Sequence, residues 1–235
     1  MSNSIRIDIL TLHPEMFSPL QHSIIKRGID AGLLDIRIHN IRDFGRGRYK
    51  QVDDAPYGGG SGMVMRIDVI DECLRSVQSD EAHVLLMDPV GKTFAHADAL
   101  RLAKKTHLIF VCGHYEGIDA RVRENLVDET LSIGDFVLTG GELPAMVIVD
   151  ALARHIKGVL GNSGSLRHES FSDGLLEAPQ FTRPREYRGW EVPTILLSGH
   201  HAKIDSWRKE RSIVLTQQLR PDLDKKSFDT DDNSE

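Results

Sequence analysis

Apolar and polar residues alternate over positions 5–12 (IRIDILTL) and 33–41 (LLDIRIHNI), the period of two expected of strands whose faces differ. Positions 82–87 (AHVLLM) and 107–112 (HLIFVC) are instead short continuous apolar runs, closed by Asp88-Pro89 and by Gly113. That is the pattern of parallel strands buried on both faces. Helical spacing predicts helices over 68–77, 97–104 and 118–125. A longer one is predicted over 143–156, with Pro144 in its first turn, where a missing N–H is tolerated. Residues 131–138 read as a strand interrupted by Gly134, and 53–62 (DDAPYGGGSG) as loop. Strands alternating with helices across 5–157 predict an α/β domain with a mainly parallel sheet. After Gly158 the pattern changes. GNSG at 161–164 reads as a hinge, and helical spacing returns beyond Gly199. The expected division is a domain at 1–160, a linker at 161–172 and a small helical domain at 173–235.

Composition narrows the class. At 40% hydrophobic and 27% charged residues, the 235-residue chain can bury a substantial core. No apolar run approaches the roughly 20 residues that cross a bilayer. The N-terminus lacks a basic segment followed by an apolar one. A cytoplasmic protein without a membrane partner is expected. Cys73 and Cys112 are too few for a disulfide framework and wrongly spaced for zinc, so both are expected to be buried small hydrophobes.

The net charge of −6 argues weakly against a nucleic-acid partner, but its distribution matters more. The tail from Pro221 carries six acids against two lysines, and so accounts for −4 of it. Residues 37–50 carry Arg37, Arg42, Arg46, Arg48 and Lys50 against Asp43 alone, interleaved with Phe44 and Tyr49. Phosphate-binding surfaces look like this, and so do solvated loops.

Three strand ends are followed by glycine-bearing loops: Asp88-Pro89-Val90-Gly91, Gly113-His114-Tyr115-Glu116-Gly117, and Ser132-Ile133-Gly134-Asp135 continuing to Gly140-Gly141-Glu142. Ligands of open α/β sheets bind beyond the carboxyl ends of strands, and glycines there let the main chain approach a ligand. The same glycines could simply make tight turns. No GxGxxG follows the first strand and no GxxxxGK[ST] occurs, so dinucleotide and nucleotide-triphosphate cradles are poorly supported. Candidate acid–base residues near these loops are Glu116, Asp135, Glu142, Arg154, His168 and Glu169. His114 alone, and the adjacent pair His200-His201, read as structural or surface histidines, and no metal site is expected.

Several ordered segments together resemble the bacterial tRNA (guanine-N1)-methyltransferase family of the SPOUT superfamily. They are Pro14-Glu15-Met16-Phe17, Pro56-Tyr57-Gly58-Gly59-Gly60, the run from Val111 to Asp119, Ser132-Ile133-Gly134-Asp135 with Gly140 to Ala145, Gly158 to Gly161, Gly174 to Glu177 with Thr182-Arg183-Pro184, and Leu196 to Ala202. The resemblance implies a trefoil-knotted parallel-sheet methyltransferase domain plus a small helical C-terminal domain. It also implies an obligate homodimer acting on the tRNA anticodon stem-loop. The glycine loops would hold S-adenosylmethionine through Leu86, Met87, Pro89, Gly113, Tyr115, Glu116, Ser132, Ile133, Gly134, Phe136, Val137, Leu138, Gly140, Gly141 and Pro144. Glu169 would serve as base, from one subunit to the other's cofactor, and Arg154 as the stabiliser of developing charge. The linker would close as a lid on tRNA. A Mg²⁺ requirement is implied with no site assigned. Glu169 stands where the family pattern has aspartate, Leu131 where it has tryptophan, Phe136 where it has tyrosine and His13 where it has phenylalanine.

Overall fold

The computed structural model describes residues 4–161 and 169–226. The chain divides into two compact units, Met1–Gly161 and Asn162–Glu235.

In the first unit, β1 (Ile5–Thr11) is followed by a 3₁₀ segment at Pro14–Gln21, then α1 (Ser23–Asp30) and β2 (Leu34–Asn40). The two-residue strands β3 (Asp53–Asp54) and β4 (Val64–Met65) pair antiparallel around the glycine-rich loop, ahead of α2 (Ile67–Val77). β5 (Ala82–Thr93), α3 (His96–Leu102), β6 (His107–Cys112), α4 (Ala120–Asn125), β7 (Glu129–Ser132) and α5 (Glu142–Ala153) complete it. The sheet is five-stranded and parallel, in the order β2-β1-β6-β5-β7.

Successive strand residues point to opposite faces, and both faces are covered. Ile5, Ile7 and Ile9 of β1 join Leu108 and Phe110 of β6 and Leu85 of β5 in one core, closed by Ile148, Val149 and Leu152 of α5. Leu10, Ile109, Val111, Val84 and Leu86 face the other way, against Val69, Ile70, Cys73 and Leu74 of α2 and Val122 of α4. This explains why β5 and β6 read as continuous apolar runs. Both cysteines are fully buried, and burial pushes the Cys73 thiol up to about 12.

Four expectations need correction. The strand expected at 82–87 does not close at Asp88-Pro89: β5 continues to Thr93, its pairing with β7 interrupted between Met87 and Lys92 and resumed at Lys92 and Thr93. Residues 131–138 are not one strand, since β7 ends at Ser132. Ser132 Oγ donates to the Gly134 carbonyl at 2.9 Å, the Phe136 N–H returns to the same carbonyl, and Gly134 sits at φ 154°, so the chain turns there. Phe136 and Val137 are left 54% and 83% exposed, which a period of two could not reveal. The long helix stops at Ala153, and Arg154 is its C-cap rather than a residue of its body. α4 begins at Ala120 because Asp119 caps it, accepting from the Arg121 N–H at 3.0 Å.

In the second unit, β8 (Glu186–Tyr187) and β9 (Trp190–Glu191) form a hairpin. Its turn, Arg188-Gly189, has φ of 55° and 82°, the sign a two-residue primed turn demands. α6 (His201–Leu219) and α7 (Pro221–Lys226) follow. Thr216 of α6, 1% exposed, accepts from the Leu176 N–H at 2.8 Å, and Ser212 Oγ donates to the Leu176 carbonyl, so the 170–177 segment is strapped to α6.

Candidate active site

A cleft of about 260 Å³ lies at the carboxyl ends of β5, β6 and β7. Its walls are the irregular stretch of β5 where the pairing with β7 breaks between Met87 and Lys92, the loop after β6 and the loop after β7. Met87, Asp88, Pro89 and Val90 come from the first, Gly113 to Ile118 from the second, and Leu131 to Ile133 with Phe136 to Gly141 and Pro144 from the third.

Glycine is required at specific points. A Cβ on Gly141 would come within 2.8 Å of Cys112 Cα and 2.9 Å of the Gly113 nitrogen, because the Gly141 N–H bonds the Gly113 carbonyl at 2.8 Å. The second and third loops therefore lie main chain against main chain beneath the cleft. Tyr115 adopts φ 60° at the rim, a left-handed conformation uncommon for a tyrosine and frequent at binding sites. Gly62 makes room for Glu116: a side chain there would meet Glu116 Cγ at 2.3 Å. The loop between β3 and β4 is joined to the second loop by the Glu116 N–H to the Met63 carbonyl and by Met65 to the Gly117 carbonyl.

The charge of this cleft has one sign. Asp88 and Glu116 line it, while among the described residues no lysine or arginine does. Behind Gly140 lies Glu142, the first residue of α5 and only 1% exposed, whose Oε1 accepts from Thr11 Oγ1 at 2.8 Å. Burial, with the Glu142 charge added, raises the Cys112 thiol pKa well above its ordinary value.

Of the residues expected to bind a cofactor, Leu86 and Gly134 do not line the cleft, and Leu86 is buried in the core against α2. The other thirteen line it. Pattern reading missed Asp88, Val90, His114, Gly117, Ile118, Leu131 and Thr139. Each is a neighbour in a loop already singled out, so loop membership was the signal available. Asp135 is exposed and outside the lining. Arg154 is exposed at the end of α5. Glu169 belongs to the second unit, where its carbonyl accepts from Ser172 Oγ at 2.8 Å. His168 and linker residues 162–168 lie outside the described residues.

The basic stretch is less available than its count suggests. Arg37 pairs with Asp35, Lys50 with Asp43, and Arg46 with Asp68 and Glu72. Hydrogen bonds from Arg66, then from Arg46, outweigh burial and hold the Asp68 carboxyl at about 2. Among the described residues no group of three or more His, Cys, Asp or Glu side chains could hold a metal ion, so the Mg²⁺ implied by resemblance has no set of ligands here. No helix among them is long and apolar enough to cross a membrane.

A parallel α/β sheet with an acidic, glycine-floored cleft at its strand ends places this chain in the class of α/β proteins whose ligand sites, where they have them, lie at that end of the sheet. A family model described as tRNA (guanine-1)-methyltransferase TrmD matches residues 5–226. The chain belongs to that family. It is 54% identical over 231 residues to the tRNA (guanine-N(1)-)-methyltransferase of Geobacter metallireducens, covering 97% of this chain and 94% of the relative. Like-named proteins of Desulforamulus reducens and Staphylococcus aureus are 55% and 51% identical, each across 93% of this chain and covering 88% and 90% of the relative.

Proposed function

We propose that the cleft binds S-adenosylmethionine and that the chain transfers its methyl group to N1 of the guanosine 3′-adjacent to the tRNA anticodon, position 37, leaving S-adenosylhomocysteine. The observation that carries the donor half is the cleft's charge. A lining with Asp88 and Glu116 and, among the described residues, without lysine or arginine suits a cationic nucleoside and is unsuited to a phosphate-bearing one. The glycine floor fits the same ligand, since main chain bared at Gly113 and Gly140 can approach a purine edge while Leu131, Ile133 and Pro144 offer apolar contact. The acceptor half rests on the family and on the names of the relatives.

When bound, S-adenosylmethionine supplies a methyl group on a positively charged sulfur, which keeps the bonding pair as the methyl departs. Guanine N1 carries a proton at neutral pH and must lose it to attack. Glu169 takes that proton on its carboxylate. Negative charge that builds on O6 is met by the Arg154 guanidinium. The carbonyls and N–H groups around Met87, Gly113 and residues 136–138 read the adenine. No step is routed through a metal.

Dimerisation belongs to the same proposal, with Glu169 of one copy serving the cleft of the other. Its support is apolar exposure: Val90 and Val137 at the cleft are 65% and 83% exposed, and Leu143 and Val147 of α5 are 47% and 48% exposed. The trefoil knot, a linker that closes on tRNA, a tRNA-gripping role for residues 173–235 and a cytoplasmic location complete the reading. Within residues 37–50 the phosphate contacts fall to Arg42 and Arg48, which have no ion pair among the described residues.

The test is Glu169→Ala with unmodified tRNA and tritiated donor. Single-turnover methyl transfer should fall at least ~100-fold while donor affinity is retained. Unchanged single-turnover kinetics would remove Glu169 from the mechanism.

A further inference from the structure

Glu142 is a buried charge that the reaction above does not use. Its Oε1 is occupied by Thr11, and among the described residues no cation pairs with it. Its second oxygen lies under the cleft. A Cβ on Gly140, which lines the cleft, would meet Glu142 Oε2 at 2.3 Å and His114 Nδ1 at 2.9 Å. That histidine nitrogen is itself buried without a hydrogen-bond partner. The positive end of α5 favours an anion at this position, yet one hydroxyl and a helix end are thin compensation for a buried carboxylate. The bare Gly140 main chain is all that Gly140 interposes between it and whatever occupies the cleft.

We propose that Glu142 is the buried counter-charge for the donor's sulfonium, so that its carboxylate raises affinity for the cationic donor relative to the neutral thioether left after transfer. This inference rests on the S-adenosylmethionine reading of the cleft. Two charges separated by protein rather than water interact several times more strongly than in bulk solvent. The attraction disappears when the sulfur becomes neutral, which aids product release without moving any side chain. The ammonium and carboxylate of the methionine portion are common to donor and product, so they do not contribute to the difference.

Calorimetric titration of the full chain and of Glu142→Gln with S-adenosylmethionine and S-adenosylhomocysteine separates these terms. Glutamine keeps the shape and the acceptor for Thr11, and a thermal melt verifies folding. The donor's Kd should rise about tenfold and the product's by less than about twofold. A donor analogue with a protonated amine in place of the sulfonium should follow the donor. Thr11→Val, which removes the hydroxyl and leaves the charge, should retain or increase the preference for the donor over the product. Equal losses for donor and product in either variant, or no change in Glu142→Gln, overturn the inference. If the unaltered chain binds neither ligand, it is the donor reading that fails, and the two failures are thereby distinct.

Discussion

Three carboxylates in the first unit are almost completely buried; Asp98 is paired with Lys92 and Arg101, and the other two, Asp8 and Glu142, are compensated in opposite ways. Asp8, 0% exposed on β1, is surrounded. His39 Nε2 of β2 donates to Oδ1 at 2.6 Å, His107 Nε2 of β6 donates to Oδ2 at 2.7 Å, and Arg6 Nε makes an ion pair with Oδ2 at 2.6 Å without the alignment of a hydrogen bond. Ser79 Oγ steadies His107 from the far side, 2.7 Å from Nδ1. Glu142 has Thr11 and the end of a helix. The saturated acid ties three strands together on the α2 side of the sheet. The under-compensated one sits where the strands end and a ligand can arrive. A buried charge with all of its partners is structural, whereas one with a cleft on its open side is a candidate for recognition.

The contrast is broken most directly at Asp8. Asp8→Asn strands the Arg6 guanidinium and two imidazoles and should cost about 3–5 kcal/mol in denaturant unfolding. A loss under about 1 kcal/mol would mean that the network contributes little. Burial pushes the Asp8 carboxyl up, but the hydrogen bonds from His39 and His107 and the Arg6 ion pair together outweigh it and hold it below its ordinary value. The unfolded chain therefore binds more protons at this site than the folded one. The network's contribution is complete above about pH 4 and is lost as pH falls through the folded value. Asp8→Asn should flatten that acid limb.

The cleft side of the contrast is sharpened next by Gly141→Ala. The added methyl meets Cys112 Cα and the Gly113 nitrogen, both main chain, so the two loops must part. Donor affinity should fall about 100-fold, with about 1–3 kcal/mol of stability lost. Retained affinity would mean that this close approach does not shape the site. The smallest effect is expected for Glu142→Gln on stability, under about 1 kcal/mol in the same unfolding assay, because shape and the Thr11 bond persist. A loss as large as that of Asp8→Asn would put the two acids in one class and remove the distinction.

Much of the fold was legible because its signals are local. β5 and β6 are buried on both faces, so their apolar runs marked them, and the glycines after each strand marked the cleft loops. The Asp8 network was not legible. It requires β1 to lie between β2 and β6, and strand order is a long-range property that periodicity does not carry. Glu142 read only as one of several candidate acids beside the glycine loops, and only packing shows that it is buried beneath Gly140. The 131–138 segment misled for the converse reason: Phe136, Val137 and Leu138 are exposed at the cleft rather than paired in the sheet. Glu169 stood out by resemblance alone, since nothing in its spacing singles out a base.

The account's central claim is that this cleft holds a sulfonium donor for methylation of one tRNA guanine. Nucleoside mass spectrometry of a tRNA transcript incubated with the chain and S-adenosylmethionine tests it most directly. The account predicts 1-methylguanosine at the single guanosine 3′ of the anticodon. A methyl found on a ribose, or no donor-dependent methyl at all, would contradict it.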